Sequence, residues 1–235
     1  VEDRIDPVSD LEIIETELML ADLESLERRR VQMEKRAKAG DKESQQSLKL
    51  VDLALTQLNA GKPARTAEVS KEDRKAWDML QLLTALPALY VANVDEGSAD
   101  KGNELSDLVA ARAAKDGANS VVISAKIDSE LAVLDEAEQL EFLETLGLAE
   151  PGLNRLIREA YALLGLQSYF TVGPKEARAW TIHVGDTAPQ AAGVIHTDFE
   201  KGFIRAETIA FDDYVALRGE ARAREAGKLR AEGRS

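Results

Sequence analysis

The sequence predicts an α/β fold: a parallel strand–helix–strand unit, preceded by an antiparallel helical hairpin and followed by a small α+β module. Two observations support this prediction. The stretch 10–39 contains no glycine or proline and repeats apolar residues every three or four positions, as an amphipathic helix does. Short apolar runs at 88–92 and 120–124 flank a helical pattern at 103–116, which is the order of a βαβ unit.

The hairpin is predicted at 11–70. Ser9 or Asp10 can cap its first helix, and the Gly-Asp pair at 40–41 interrupts that helix. A second helix ends at 61–63, because glycine stops a helix and the proline beyond it cannot continue one. Its apolar face is formed by Leu48, Val51, Leu55 and Leu58. Two helices joined by a tight turn favour coiled-coil-like packing.

The strand–helix–strand unit leads to the first functional expectation. A helix at about 71–84 leads through Pro87 into the first strand. Parallel sheets bind their ligands at the carboxyl ends of the strands. The loops 93–96 and 124–126 leave those ends, so the pattern alone predicts candidate binding residues there.

The C-terminal part is predicted to contain helices followed by a mixed module. The expected elements are helices at 135–146 and 151–164, a strand hairpin at 168–172 and 177–184, a short helix capped by Thr187, a strand at 202–210, and a helical or irregular stretch at 212–230. The only two histidines, His183 and His196, have no nucleophile or ligand-spaced partner nearby in sequence, so we expect structural or surface roles for them.

Composition excludes several classes of function. At 235 residues, the chain is long enough for one large domain or two to three small ones. A formal charge of −13 argues against a protein that coats nucleic acid with its whole surface, although it does not exclude a local basic patch. The absence of cysteine excludes disulfides, thiolate metal sites and cysteine nucleophiles. No apolar run reaches the roughly 18 residues of a membrane span, so we predict a cytoplasmic protein without membrane contact.

The first loop, Asn93-Val94-Asp95-Glu96, resembles a nucleotide-base loop. P-loop GTPases carry Asn-Lys-x-Asp there, and the aspartate accepts hydrogen bonds from guanine N1–H and the 2-amino group. Val94 and Glu96 replace the lysine and the aspartate, which argues against guanine without specifying adenine. Asn93 alone is equally explained as a turn former that bonds its own backbone. The segment 124–126, Ser-Ala-Lys, at the end of the neighbouring strand favours the base site.

Further stretches carry a resemblance to a known family. They are 122–127, 139–143, 158–161, 163–166, 168–173, the run His-Thr-Asp-Phe-Glu-Lys-Gly-Phe-Ile-Arg-Ala-Glu at 196–207, and, near the start, 6–7, 16–18 and 21–23. With the two loops, they make the chain similar to YchF-type, Obg-like P-loop ATPases over essentially its whole length.

The resemblance implies a P-loop NTPase domain interrupted by the hairpin and followed by a ubiquitin-like TGS domain. The implied segments are a remnant of the NTPase domain at 1–10, the coiled-coil hairpin at 11–70, the C-terminal half of the NTPase domain at 71–150, and a linker helix with a truncated TGS domain at 151–235. The family prefers ATP to GTP and uses Mg²⁺. By position, Asn93 and Val94 would contact adenine, with Glu96 closing the loop. Ser124 and Ala125 would lie against the base through backbone groups, and Lys126 would pack over it.

The sequence departs from this family in lacking Gly-x-x-x-x-Gly-Lys-Ser/Thr, the loop that holds the triphosphate and Mg²⁺. Val1 is not an initiator methionine, and the charged residues at 231–235 carry no strand or helix pattern. We therefore expect a fragment of a longer protein, with the last TGS strands missing after Ser235. We expect ATP and Mg²⁺ to belong to that longer protein, and this chain to bind them weakly and hydrolyse nothing. No catalytic residue or metal ligand is predicted in it.

A basic cluster near the hairpin turn is the second candidate site. It consists of Arg28, Arg29, Arg30, Lys35, Arg36, Lys38 and Lys42, set against only Glu34 and Asp41. In a chain of net charge −13, such a cluster can bind the phosphates of RNA, and ribosomal RNA fits the resemblance. The alternative is a solvated helix face, which charge runs usually are. Nothing in the sequence indicates DNA specificity.

These observations together predict a ribosome-associated, ATP-hydrolysing P-loop protein, of which this chain carries the base-recognition half, the hairpin and the TGS domain. Two alternatives stay open. One is a nucleotide-independent module that binds RNA or the ribosome, and the other is a GTPase with an atypical base loop.

Overall fold

The computed structural model describes residues 5–233, so Val1 lies outside the described residues. The expectation that 231–235 carry no strand pattern is wrong in part, because Arg230–Glu232 form a short strand. The chain divides into two compact units, Val1–Leu163 and Leu164–Ser235. The first unit holds a long helical hairpin and a parallel strand pair, and the second holds two antiparallel strand pairs with short helices.

The hairpin consists of α1 (Pro7–Lys38) and α2 (Lys42–Asn59). The predicted cap at Ser9 or Asp10 is wrong: Asp6 caps α1, accepting a hydrogen bond from the Ser9 amide at 3.2 Å, and Pro7 occupies the first helical position, which suits proline. The facing sides of the two helices bury a continuous apolar core. It includes Leu26, Leu50, Val51, Ala54 and Leu58, together with Trp77, Leu80 and Leu82 from the following segment.

The helix predicted at 71–84 is much shorter in the structure, where α3 spans only Arg74–Asp78 and a 3-10 helix spans Leu83–Ala85. Gln81 separates them with a left-handed φ of 52°, which stops α-helical propagation. The buried carboxylate of Asp22 on α1 accepts hydrogen bonds from the Leu83 and Thr84 amides at 2.9 and 2.8 Å. A side chain of α1 therefore satisfies amides that a continuing helix would have satisfied.

The parallel unit is confirmed with nearly the predicted bounds. Strand β1 (Leu89–Asn93) leads through a 3-10 helix (Glu96–Ser98) into α4 (Glu104–Asp116), and then into β2 (Asn119–Ile123). The strands pair in parallel from Leu89↔Asn119 to Asn93↔Ile123. The prediction of a loop at 124–126 is wrong in part, because α5 (Ala125–Leu131) begins directly after Ser124. Helices α6 (Glu136–Thr145) and α7 (Gly152–Leu163) complete this unit.

The second unit begins with the predicted antiparallel hairpin of β3 (Leu166–Val172) and β4 (Ala177–His183). Helix α8 (Ala188–Ile195) follows its Thr187 cap. The strand predicted at 202–210 is only β5 (Ala206–Thr208), because α9 (Thr197–Lys201) precedes it. Helices α10 (Phe211–Ala216) and α11 (Glu220–Glu225) lead to β6 (Arg230–Glu232), which pairs antiparallel with β5.

Candidate nucleotide-base site and hairpin tip

The two predicted base loops meet at the carboxyl ends of β1 and β2. Parallel pairing places Asn93 opposite Ile123, so both chains leave the sheet side by side. The Val94 amide donates to the Ile123 carbonyl at 2.9 Å and extends the ladder by one bond. The side-chain oxygen of Asn93 accepts a hydrogen bond from the Ala125 amide at 3.0 Å. Asn93 therefore ties the first loop to the start of α5.

The Asn93 carboxamide keeps its donor available. Its oxygen is occupied by Ala125, and its amide nitrogen makes no hydrogen bond in the part of the chain that the structure describes. Both purines present an acceptor at N7, so a carboxamide held in this way can orient a purine without distinguishing adenine from guanine. Discrimination has to come from the groups around it.

Asp95 shapes the turn that carries Glu96. Its carboxylate accepts from the Ser98 amide at 3.0 Å and caps the 3-10 helix that Glu96 begins. Sequence reasoning treated Asp95 as a spacer between Asn93 and Glu96. The available signal was the Asp-x-x-Ser spacing, in which the aspartate caps a turn three residues on.

Glu96, expected to close the first loop, and Lys126, expected to pack over the base, form an ion pair with each other. Their side chains are 41% and 70% exposed, so the pair lies on the surface between the two loops. The hydrogen bond from Lys126 to Glu96 and the charge of Glu96 raise the pKa of Lys126. The carboxylate in the position of the guanine-reading aspartate is therefore already engaged by a cation of the protein.

Ser124 lies under the site rather than at its surface. Its side chain is 2% exposed, and its hydroxyl has no hydrogen-bond partner among the described residues. Ala125, by contrast, is exposed, and its amide is bonded to the Asn93 side chain.

A supporting contact that the sequence reasoning missed holds α5 to α7. The Asp128 carboxylate on α5 accepts from the Leu153 amide at 3.2 Å. A Cβ added to Gly152 would lie 2.8 Å from the Asp128 carboxylate and 3.1 Å from the Ile123 Cβ. Gly152 therefore allows the start of α7 to approach the end of β2 closely. The Pro-Gly pair at 151–152 was the only sequence signal for it.

The structure separates the predicted basic cluster into two groups. Arg29 donates to the Leu80 carbonyl at 2.9 Å, and Arg30 pairs with Asp52 across the hairpin at 2.7 Å. Arg30 thus joins the two hairpin helices, Arg29 joins α1 to the segment that follows α3, and both arginines are half-buried. Arg28 is exposed and pairs with Glu24 one turn earlier at 3.5 Å.

The other group surrounds the turn between α1 and α2, which we call the hairpin tip. Lys35, Arg36, Lys38 and Lys42 are all exposed there. Lys38 pairs with Glu34 at 3.0 Å, and Asp41 caps α2 through the Ser44 amide at 3.2 Å. Three of these cations lie in the last turn of α1, where the helix dipole also favours positive charge.

Comparison with known proteins supports the resemblance over the whole chain. The chain is 49% identical over 234 residues to a protein of Escherichia coli O157:H7 and 46% identical over 236 residues to one of Bacillus subtilis, both named "Ribosome-binding ATPase YchF". Each match covers 100% of this chain and 64% of the relative. A family model named YchF-GTPase_C, described as "Protein of unknown function (DUF933)", matches residues 166–235.

A solved structure agrees with these relatives. The "Structure of the Schizosaccharomyces pombe YchF GTPase" superposes with a TM-score of 0.79 at 29% identity, covering 100% of this chain and 64% of that one. This chain belongs to the YchF family. It spans about 64% of the length of the YchF relatives that it matches.

The names of these YchF proteins disagree about the nucleotide. The bacterial relatives are called ATPases and the fission-yeast protein is called a GTPase. Glu96 stands in sequence where the Asn-Lys-x-Asp pattern of GTPases has its aspartate, so the pairing of Glu96 with Lys126 bears on this disagreement.

The histidines of this YchF chain lie on the surface of the second unit. His196 accepts a hydrogen bond from the Asp198 amide at 3.2 Å through Nδ1 and so caps α9. His183 lies beside Asp186, with Nδ1 and the carboxylate 3.8 Å apart. Within residues 5–233, no group of three or more His, Cys, Asp or Glu side chains is arranged to hold a metal ion. No helix in that range is long and apolar enough to cross a membrane.

Proposed function

We propose that this chain carries the base-recognition half of an adenine-nucleotide site in a ribosome-associated YchF ATPase. The observation that carries the proposal is the hydrogen bond from the Ala125 amide to the Asn93 side chain, at 3.0 Å. It joins the two loops that the sequence singled out independently, at the sheet edge where parallel folds bind ligands. The name of the bacterial relatives supports the same activity.

Adenine fits this site better than guanine does. Guanine presents two donors, N1–H and the 2-amino group, and needs a free carboxylate opposite them. Here Glu96 is paired with Lys126, so guanine has to compete with that lysine for the carboxylate. Adenine requires no such carboxylate, because its N1 is an acceptor. Val94 supports the base with an apolar side chain where GTPases have lysine.

The phosphate-binding elements and Mg²⁺ belong, in this proposal, to the part of the whole protein outside these 235 residues. The donors that this chain supplies are an amide, backbone groups and one lysine, which suit a base rather than a metal ion. When bound, Mg²⁺ would neutralise triphosphate charge. The chain's own residues orient the base, and we expect them to bind ATP weakly on their own.

The hairpin tip is the proposed ribosome contact. Lys35, Arg36, Lys38 and Lys42 are exposed together at the end of α1, about 48 Å from its start at the usual helical rise. RNA phosphates are the natural partner for such a cluster, and the relatives are named ribosome-binding. We propose the TGS-like second unit as a further contact with the ribosome. A cytoplasmic location of the whole protein is part of the same proposal.

The test uses the full-length protein with ATP and GTP titrated separately by calorimetry. We expect Asn93→Ala to weaken ATP binding about tenfold or more, because both the loop tether and the base donor are lost. Asn154→Ala, at an exposed position on α7, is the matched control and should bind as the wild type does. Unchanged affinity in Asn93→Ala would reject the base site.

Two rival functions predict different results. A GTPase with an atypical loop, which is the activity named for the fission-yeast protein, would bind GTP at least as tightly as ATP. A nucleotide-independent ribosome-binding module would pellet with ribosomes equally well with and without ATP. A nucleotide switch requires the pelleted fraction to change with ATP.

A further inference from the structure

A network of charged side chains joins the root of the hairpin to the parallel strand–helix–strand unit. Its members come from four elements: Glu12 and Glu15 of α1, Arg65 of the 3-10 helix Ala64–Thr66, Tyr90 of β1, and Arg112 and Asp116 of α4. No motif in the sequence indicated it, because residues that bond to each other in it are up to 100 positions apart.

Arg112 is the centre of this network. Its guanidinium lies 2.6 Å from the Glu15 carboxylate, 2.6 Å from the Asp116 carboxylate and 3.4 Å from that of Glu12. The side chains of Arg112 and Glu15 are only 15% and 16% exposed, so these contacts are weakly screened by solvent. The planar guanidinium can bind two carboxylates at once, which a lysine ammonium cannot do with the same geometry.

Tyr90 brings the strand β1 into the network. Its hydroxyl lies 3.1 Å from the Glu15 carboxylate and 3.0 Å from the Asp116 carboxylate, and it donates its single proton to one of them at a time. Burial, the hydrogen bond to Asp116 and the charge of Glu15 raise the pKa of Tyr90, so it stays a donor across the physiological range. Tyr90 precedes Asn93 by three residues in the same strand.

The charges explain why Arg112 is needed. The Glu15 and Asp116 oxygens share the Tyr90 hydroxyl and therefore lie within about 6 Å of each other, where like charges repel. Asp116 is also the last residue of α4, where the helix dipole disfavours a negative charge. Without Arg112, Asp116 loses its cation and Glu15 keeps only Arg65 among the described residues, so two partly buried carboxylates face each other across the Tyr90 hydroxyl with less compensating charge.

We propose that Arg112 is a positioning residue that fixes β1, and with it the base loop at 93–96, to the root of the hairpin. The inference rests on the proposed function in that this loop is taken to read the base. It adds a mechanical connection: a displacement of the hairpin caused by a partner at its tip reaches the base loop through Glu15 and Tyr90. Arg112 stabilises their contact by binding both Glu15 and Asp116.

The test is hydrogen exchange measured by mass spectrometry on the 235-residue chain without nucleotide. Arg112→Met removes the charge and keeps the length of the side chain. We expect exchange at 89–98 and at the Ala125 amide to accelerate at least tenfold, while the hairpin core around Leu26 and Val51 keeps its protection. Lys115→Met removes one exposed charge from the same helix and is the matched control.

Two results would overturn the proposal: unchanged exchange at 89–98, or equal acceleration throughout the first unit, which indicates general destabilisation only. Glu15→Gln makes the same test from the hairpin side if Arg112→Met does not fold. Arg112→Lys should restore protection only in part, because one ammonium cannot bridge both carboxylates. Because no nucleotide is present, failure here is separate from failure of the base site, which the ATP and GTP titration detects.

Discussion

At the scale of single residues, the base loop differs from the Asn-Lys-x-Asp pattern by Val94 in place of lysine and Glu96 in place of aspartate, and Glu96 forms an ion pair. Glu96 reaches Lys126 across the gap between the loops, and both groups remain largely solvated. Exposed pairs of this kind contribute only about 0–1 kcal/mol to stability. For function, the pair means that a base donor competes with Lys126 for the Glu96 carboxylate.

Shortening Glu96 should therefore change the nucleotide preference. In the full-length protein, we expect Glu96→Asp to lose the ion pair and gain GTP affinity about tenfold relative to ATP, as competition titrations with both nucleotides would measure. Glu141→Asp makes the same chemical change on the exposed face of α6 and should leave the ratio unchanged. If the two variants give the same ratio, the Glu96–Lys126 pair does not set base preference.

A second residue-scale prediction concerns the buried carboxylate of Asp22. It accepts hydrogen bonds from the Leu83 and Thr84 amides and from the Thr84 hydroxyl, the last at 2.7 Å. Removing it leaves buried donors without a partner, so Asp22→Ala should lower the free energy of unfolding by about 3 kcal/mol. Urea unfolding of the chain measures this. Glu24→Ala, on the exposed side of α1, should change it by less than about 0.5 kcal/mol.

At the scale of secondary structure, elements with long periodic or apolar patterns were predictable, and those fixed by distant contacts were not. The bounds of β1 and α4 followed from apolar runs and a helical repeat close in sequence. The error at 71–84 has a tertiary cause, because Asp22 lies about 60 positions away and redirects the backbone there. The short helix α5 was missed because its seven residues give less than two turns of pattern.

The candidate sites were affected by the same limit. Spacing identified both base loops, because parallel strands place their carboxyl ends together. It could not show that Glu96 and Lys126 bind each other, or that Arg29 and Arg30 face Leu80 and Asp52. The two arginine contacts depend on which face of α1 packs against the rest of the unit, and a charge cluster in sequence does not specify that face.

Packing between elements yields a third prediction. In Gly152→Ala, the new methyl group would meet the Ile123 backbone Cα at 3.3 Å as well as the Asp128 carboxylate. Neither β2 nor α7 can move freely, so we expect a loss of about 1–3 kcal/mol in unfolding free energy and weaker protection of the Ala125 amide. Gly173→Ala is the matched control, because its nearest contact is 3.9 Å away and its φ is negative or extended.

At the scale of the whole molecule, the distribution of charge matters more than its sum. The chain carries a net charge of −13, whereas the exposed side chains at the hairpin tip are mostly positive. An acidic remainder repels nucleic acid, so RNA contact is confined to a surface that excludes those charges. A local cluster on the end of a long helix satisfies that requirement, whereas a flat basic face on the body would not.

The tip can be separated from the hairpin's internal arginines by experiment. Substituting Lys35, Arg36 and Lys38 with glutamine removes three exposed charges at small cost to helix propensity. If they contact RNA phosphates, the slope of log affinity against log salt should become shallower by about 2, following roughly 0.7 per phosphate on single strands. Ribosome co-sedimentation across a salt series measures both the affinity and the slope.

The double variant Arg29→Gln/Arg30→Gln is the comparison. It removes the guanidinium that binds the Leu80 carbonyl and the one that binds Asp52. It should lower the midpoint of thermal unfolding by several degrees, because a half-buried carbonyl and an aspartate lose their partners. Its salt slope should stay that of the wild type. The opposite result, in which the internal pair changes the slope and the tip variant does not, would place the RNA contact along the hairpin shaft. An unaltered slope in both variants would show that the tip cations do not contact RNA. Their favourable interaction with the helix dipole of α1 would then be the explanation for their position.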